Sequence, residues 1–361
     1  MTAPQVTVPA AEVPAASVTP TVVARSRLSP RARLALALVA WGAATVLVIV
    51  ALRAVGWEAA LAAVRQARPG WLLAAVGCHA AIVVLWAWQT YVLLPRSAGA
   101  PAPARFGRVF EVQALTATAA NTVPAFLGQA TGIALLAERV GVGTAGALGV
   151  FAQHNLAEGL AKLAMIGAAT FVVPLPARMR QALLALAVGT AALVVLLGAA
   201  AWAAQRRPAA DEAPASRSET GRVRTLVARW AASLDALRDP RRLGAALLAA
   251  LLMKVAEGAG WWAVERAFSV RPRPGSAVLA LAATNLASAI PASPGNLGVY
   301  EGAAFAAYHV LLGVSRDTAV ALALVGHVVY LLPLVGMGWA LLSVRQLAAL
   351  RTRRRRRGGG D

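Results

Sequence analysis

The chain has 361 residues, of which 59% are hydrophobic and only 14% charged, with a mean hydropathy of +0.64 and a formal net charge of +20. A soluble domain carries about 25% charged residues, whereas here the charges gather in short runs between long apolar stretches; this excludes such a domain and points to an all-α polytopic membrane protein. Of the 35 basic residues 33 are Arg, and the two lysines, Lys162 and Lys254, stand inside apolar stretches. No Gly-rich loop ending in Lys is left to hold nucleotide phosphates, so neither a nucleotide cofactor nor an ATP-driven pump is expected, and the lone Cys78 makes no internal disulfide.

Residues 1–30 lack periodicity and a basic start, and read as a disordered tail rather than a signal peptide. Arg25, Arg27, Arg31 and Arg33 precede an apolar run from Leu34 to Leu52, an uncleaved anchor close to the roughly 20 residues a bilayer requires. Further full spans are expected at Trp71–Leu94, Thr144–Val173, Gln181–Ala203, Leu243–Val264 and Thr318–Val344, making six. Two stretches, Val109–Leu136 and Ser276–Leu312, are broken near their middles, at Asn121 to Gly128 and at Ser288 to Gly295. Pro removes a helix donor and Gly loosens the turn, so Pro124, Gly128, Pro291, Pro294 and Gly295 are expected to end half-helices and form two hairpins, 109–138 and 276–312. The membrane halves are then 31–203 and 243–344, joined by an Arg-rich linker, 204–242, and followed by a polybasic tail, 345–361.

If both broken stretches return to the side they came from, 24 of the 33 Arg fall on one face, with both termini and the linker; if each crosses once, the split drops to 19 against 14. The positive-inside rule prefers the first arrangement and makes that face cytoplasmic. A re-entrant hairpin and a pair of short spans share this parity, and a length near 30 residues favours the hairpin. Shifting the sequence by 167 positions lays Val123, Pro124, Ala125, Gly128 and Gln129 on Ile290, Pro291, Ala292, Gly295 and Asn296, and a shift of 172 lays Gly141-Val142 on Gly313-Val314 and Asn155 on His327. Hairpin, Gly-Val turn and long helix thus occur twice with opposite insertion, an inverted repeat of the kind transporters use to open a midplane site alternately.

Pro291-Ala-Ser-Pro-Gly-Asn-Leu-Gly-Val-Tyr-Glu301, then Gly313-Val314 and a helix holding His327, resembles the second half of the lysylphosphatidylglycerol synthase transmembrane family. Asn121 to Gly128, Gly141-Val142 and Asn155-Leu-Ala-Glu158-Gly159 resemble its first motif, the likeness covering roughly 30–345 by span order. The resemblance implies a flippase-like protein handling phospholipid or polyprenyl-linked lipid, in the cell membrane and multi-pass. The short segment after the last span implies a stand-alone member without the synthase domain, not itself an enzyme. Glu158 and Glu301 match family acids, but Phe126, Gln129 and Gly132 stand where the first hairpin usually carries charges, and Asn155, His327 and Tyr300 stand where Arg is usual.

Ionisable side chains at bilayer depth call for a partner or a use. Glu158 and Lys162 are four apart, and Lys254 and Glu257 three apart, so each pair shares a helix face. They are either self-neutralising pairs between helices or a path for a charged headgroup with the lysines on phosphate. Glu301 either caps a half-helix or takes part in proton coupling or headgroup contact. Asn121, Gln129, Ser293 and Asn296 are expected to line a polar site between the breaks, with Asn155 and His327 nearby. His154 and His327 are near-equivalent in the repeat; no His-x-x-x-His or Cys pair suggests a metal. Trp57, Trp71, Trp261 and Trp262 are expected as interfacial anchors. Leu226, Trp230, Leu234 and Leu237 recur at helical spacing and suggest a surface-lying helix. The run Arg351 to Arg357 is expected to meet anionic lipid headgroups rather than nucleic acid. A lipid flippase is therefore expected, with a membrane-embedded enzyme using Glu301 and His327, or a scaffold for a separate lipid-modifying synthase, as alternatives.

Overall fold

Every element of the computed structural model is helical among the residues it describes, which are 62, 64–96, 104–123, 125–171, 176–206, 227–270, 275–288 and 293–357. These fall in one unit of the chain, Val46–Asp361. The helices are α1 (Pro69–Leu93), α2 (Phe106–Thr122), α3 (Ala125–Leu135), α4 (Gly143–Ala169), α5 (Ala177–Arg206), α6 (Pro240–Ala267), α7 (Ser276–Ala287), α8 (Val299–Phe305) and α9 (Arg316–Arg357). A π-helical turn extends α3 through Leu136–Val140, and another extends α8 through Ala306–Leu311. The tail, the Leu34–Leu52 run, Trp57, Pro124, Pro291, Leu226 and the centre of the linker lie outside the described residues.

Among the described residues four helices are long and apolar enough to cross a membrane: Pro69–Leu93, Ala177–Trp202, Pro240–Ala267 and Arg316–Leu347. They coincide with four of the expected spans. The fifth, α4, has 27 residues, about 40 Å at 1.5 Å per residue, but Gln153, His154, Asn155, Glu158 and Lys162 dilute its apolar character. Length is therefore sufficient there, and composition alone is not.

The central pair is α1 and α6, antiparallel. Pro69 starts α1 and Pro240 starts α6, positions where a missing amide costs nothing. Asp239 caps α6 by accepting from the amides of Arg241 and Arg242 at 2.9 and 3.3 Å. At one end Arg242 donates to the carbonyls of Val92 and Leu94 at 3.0 and 2.6 Å; at the other, the Arg68 amide donates to the Ala267 carbonyl at 2.9 Å. Between them Gly260 makes room for the His79 ring, since a Cβ there would lie 2.7 Å from Nδ1.

Both broken stretches fold as helix, break, helix, π turn and left-handed glycine, Gly141 at φ 83° and Gly313 at φ 68°, before a long helix. The open end of α2–α3 lies at the Arg242 end: Phe106 packs edge-on to Tyr91, Arg139 pairs with Glu111 at 2.6 Å, Glu111 also binds Arg345, and Val109, Leu136 and Val140 share a core with Leu93 and Leu94. The open end of α7–α8 lies at the opposite end, where Ser276 and Tyr308 both bond Glu265 and Leu279 and Leu312 pack with Val264.

Two expectations are corrected. Trp261 is no interfacial anchor: it is 1% exposed, stacked on Tyr300 and in tilted contact with Tyr308, whereas Trp71 and Trp262 meet edge-on beneath Arg266. The segment around Trp230, Leu234 and Leu237 does not lie on a bilayer surface, because Leu234 is fully buried with those neighbours against Leu156 and Leu197 of α4 and α5. An apolar stripe is satisfied equally by lipid and by protein, and here the groove between two helices takes it.

Candidate functional site

The two charged pairs read from the sequence merge into one cluster where α4, α6 and α7 meet. Lys254 Nζ lies 2.8 Å from Glu158 Oε1 and 2.9 Å from Glu257 Oε2, and donates to Asn285 Oδ1 at 3.1 Å. Asn285 Nδ2 in turn donates to Glu257 Oε1 at 2.8 Å. The partner of Glu158 is thus the lysine of another helix, while Lys162 of its own helix stands at 3.6 Å. An ammonium has three donors, and Lys254 uses all three inside the protein. Lys162 is a quarter exposed. The second oxygen of Glu158 is buried and has no hydrogen-bond partner among the described residues. One turn before Glu158, His154 Nδ1 meets Gln89 Oε1 at 2.5 Å, and its ring stacks on Trp86.

A second centre lies on α8 and α9. Glu301 Oε2 accepts the Gly298 amide at 2.7 Å, as a carboxylate capping a short helix does, and Oε1 meets His327 Nδ1 at 2.8 Å. Capping and histidine contact are therefore both made by the same side chain. The Tyr300 ring stacks on His327 with centroids 4.3 Å apart and on Trp261 at 5.9 Å, which joins this centre to α6 one turn beyond Glu257. His327 Nε2 and Asn296 Oδ1 are buried without partners among the described residues. Buried polar atoms are nearly always paired, so such atoms mark a place where a polar ligand or water completes the structure.

The breaks themselves come together. Pro294 opens a single 3-10 turn, Pro294–Asn296, in which Gly295 and Asn296 have φ of 60° and 55°. A Cβ on Gly295 would lie 3.0 Å from the Asn121 carbonyl oxygen, so the second break rests directly on the end of α2. Asn121 Nδ2 donates to the Ala117 carbonyl and Ser293 Oγ to the Leu297 carbonyl, at 2.8 and 2.7 Å. Gly128 serves a different contact: a Cβ there would lie 2.5 Å from the Ala120 nitrogen, so it closes α3 onto α2. Gln129 is exposed and is not brought to the site, and Asn155 bonds the Phe151 carbonyl of its own helix at 2.7 Å. Asn285 and Gln89 escaped sequence reading because each is one amide in an apolar run; polar insertion into a span is the signal that marks them.

The family model for the lysylphosphatidylglycerol synthase TM region matches residues 32–338. Neither a curated protein nor a solved structure matches the chain.

Proposed function

The chain belongs to the lysylphosphatidylglycerol synthase TM region family, and from that membership we propose a flippase-like integral protein of the cell membrane that moves a polar-headed phospholipid or polyprenyl-linked lipid between leaflets without altering it covalently. In this reading α2–α3 and α7–α8 are re-entrant hairpins of an inverted repeat, and both termini and the 204–242 linker are cytoplasmic. Their opening at opposite ends of the α1–α6 pair supports the inversion, and the gathering of Arg96, Arg108, Arg139, Arg238, Arg242 and Arg345 at one end supports the orientation. The Arg351–Arg357 run then meets anionic lipid on the cytoplasmic leaflet, at about 1 kcal/mol per charge.

The meeting of the two breaks at Gly295 and Asn121 carries the proposal. Irregular backbone at bilayer depth is tolerated only where protein or a water-filled cavity surrounds it, and Asn296 in the second break, His327 on α9 and Glu158 on α4 each have a buried atom without a partner among the described residues. A headgroup passes these atoms and Lys162 while its tail stays in lipid. The test is purified protein in liposomes, reading headgroup accessibility from one leaflet together with lipid mass. Exchange between leaflets with every mass unchanged is expected.

A second reading rests on the Glu301–His327 pair, in which a carboxylate orients an imidazole whose far nitrogen has no partner among the described residues, an arrangement suited to acid-base work on a lipid phosphate. In the same liposomes that reading predicts a new lipid species.

A further inference from the structure

Away from the lysine cluster, near the C-terminal end of α6, Glu265 has no accessible surface at all. Its Oε2 accepts from Ser276 Oγ and its Oε1 from the Tyr308 hydroxyl, both at 2.9 Å. Ser276 begins α7 and Tyr308 sits in the π turn that ends the other arm, so one carboxylate ties both arms of the second hairpin to α6.

Among the described residues, the other charged and titratable groups at this end of α6 have other partners or stand on other elements. Arg266 lies over the rings of Trp262 and Trp71, His309 Nδ1 meets the Val314 carbonyl at 2.8 Å, and Tyr300 stacks with His327. Arg68 precedes α1, Arg178 and Arg180 begin α5, and Arg316 and Asp317 begin α9. Among the described residues none of these cations forms an ion pair with Glu265.

Burying a carboxylate without a cation is costly, yet both partners here are hydroxyls, which donate or accept with equal ease. If Glu265 takes a proton, it donates one of the two bonds and the partner hydroxyl turns round to accept it, giving up its own donation to the carboxylate. The ionised form receives two charge-assisted bonds and the neutral form does not. Both arms are therefore held more tightly when Glu265 is charged.

We propose that Glu265 is a proton-binding site and that proton uptake there releases the second hairpin, so that protonation at that end gates lipid movement. The coupling rests on the lipid-moving function proposed above; the proton site does not.

Two measurements on the full chain in lipid test this. Infrared difference spectra across the acid to neutral range should show a titrating carboxylic-acid band that disappears in Glu265→Gln. In Tyr308→Phe and Ser276→Ala its midpoint should move to higher pH, because a donor to the charged form is lost; these two carry the test if Glu265→Gln fails to accumulate. An absent band, or one whose midpoint ignores both hydroxyl variants, overturns the proton site. In liposomes, acid on the Trp262 side should speed lipid movement several-fold over equal pH, and Glu265→Gln should move lipid at one rate under both conditions. A parent protein that moves lipid at a rate indifferent to the gradient overturns the coupling. A titrating band in a protein that moves no lipid supports the proton site and sinks the lipid-moving reading instead.

Discussion

Lys254 directs its three donors to Glu158, Glu257 and Asn285, and removing it would leave the buried Glu257 without its cation and Glu158 with Lys162 alone, at 3.6 Å. Breaking a buried ion pair from one side costs about 3–5 kcal/mol. Lys254→Met should therefore lower the thermal unfolding midpoint in detergent markedly, and Lys162→Met, 3.6 Å from one carboxylate and partly exposed, should lower it far less. Neutralising all three groups together, as Lys254→Met with Glu158→Gln and Glu257→Gln, should recover much of the loss. The charges and their shared helix faces were legible in the sequence, because a helix fixes the spacing of i, i+3 and i, i+4 neighbours. Which helix faces which is a property of packing, and so the exchange of partners between α4 and α6, and the part played by Asn285, were not.

At the scale of the element, the two breaks were legible because Pro and Gly act locally, whatever surrounds them. Their different duties were not, since both glycines look alike until a neighbour is placed beside them. Gly128→Leu drives a side chain into the backbone of Ala120 and should separate α3 from α2, seen as reduced accumulation and easier proteolysis between the two helices. Gly295→Ala keeps the hairpin but places a Cβ 3.0 Å from the Asn121 oxygen at a φ of 60°. A left-handed conformation costs a non-glycine residue about 1–2 kcal/mol, so a modest fall in unfolding midpoint should accompany a larger fall in lipid movement. The linker shows the opposite case: Leu234 and Leu237 fall in a turn and a 3-10 turn rather than on one helix with Trp230, and the surface that Trp230 and Leu234 cover is protein.

Across the whole molecule, apolar run length located four spans directly, because the bilayer dictates length, whereas α4 trades hydropathy for the polar residues of the site. Orientation is a separate question that charge asymmetry answers by rule. In a Cys78→Ala background, Ser216→Cys and Ala59→Cys should be labelled by an impermeant reagent from opposite sides of intact cells, Ser216→Cys from the cytoplasmic side; labelling of both from one side would contradict the proposed topology. The central claim is that lipid passes where the two breaks meet, and it is tested most directly by fastening them together. With Asn121→Cys and Gly295→Cys in the same background, a short reducible cross-linker applied to protein in liposomes should stop the leaflet exchange that the uncross-linked double variant retains, and reduction should return it to that level. Full exchange with the cross-link in place would contradict the account.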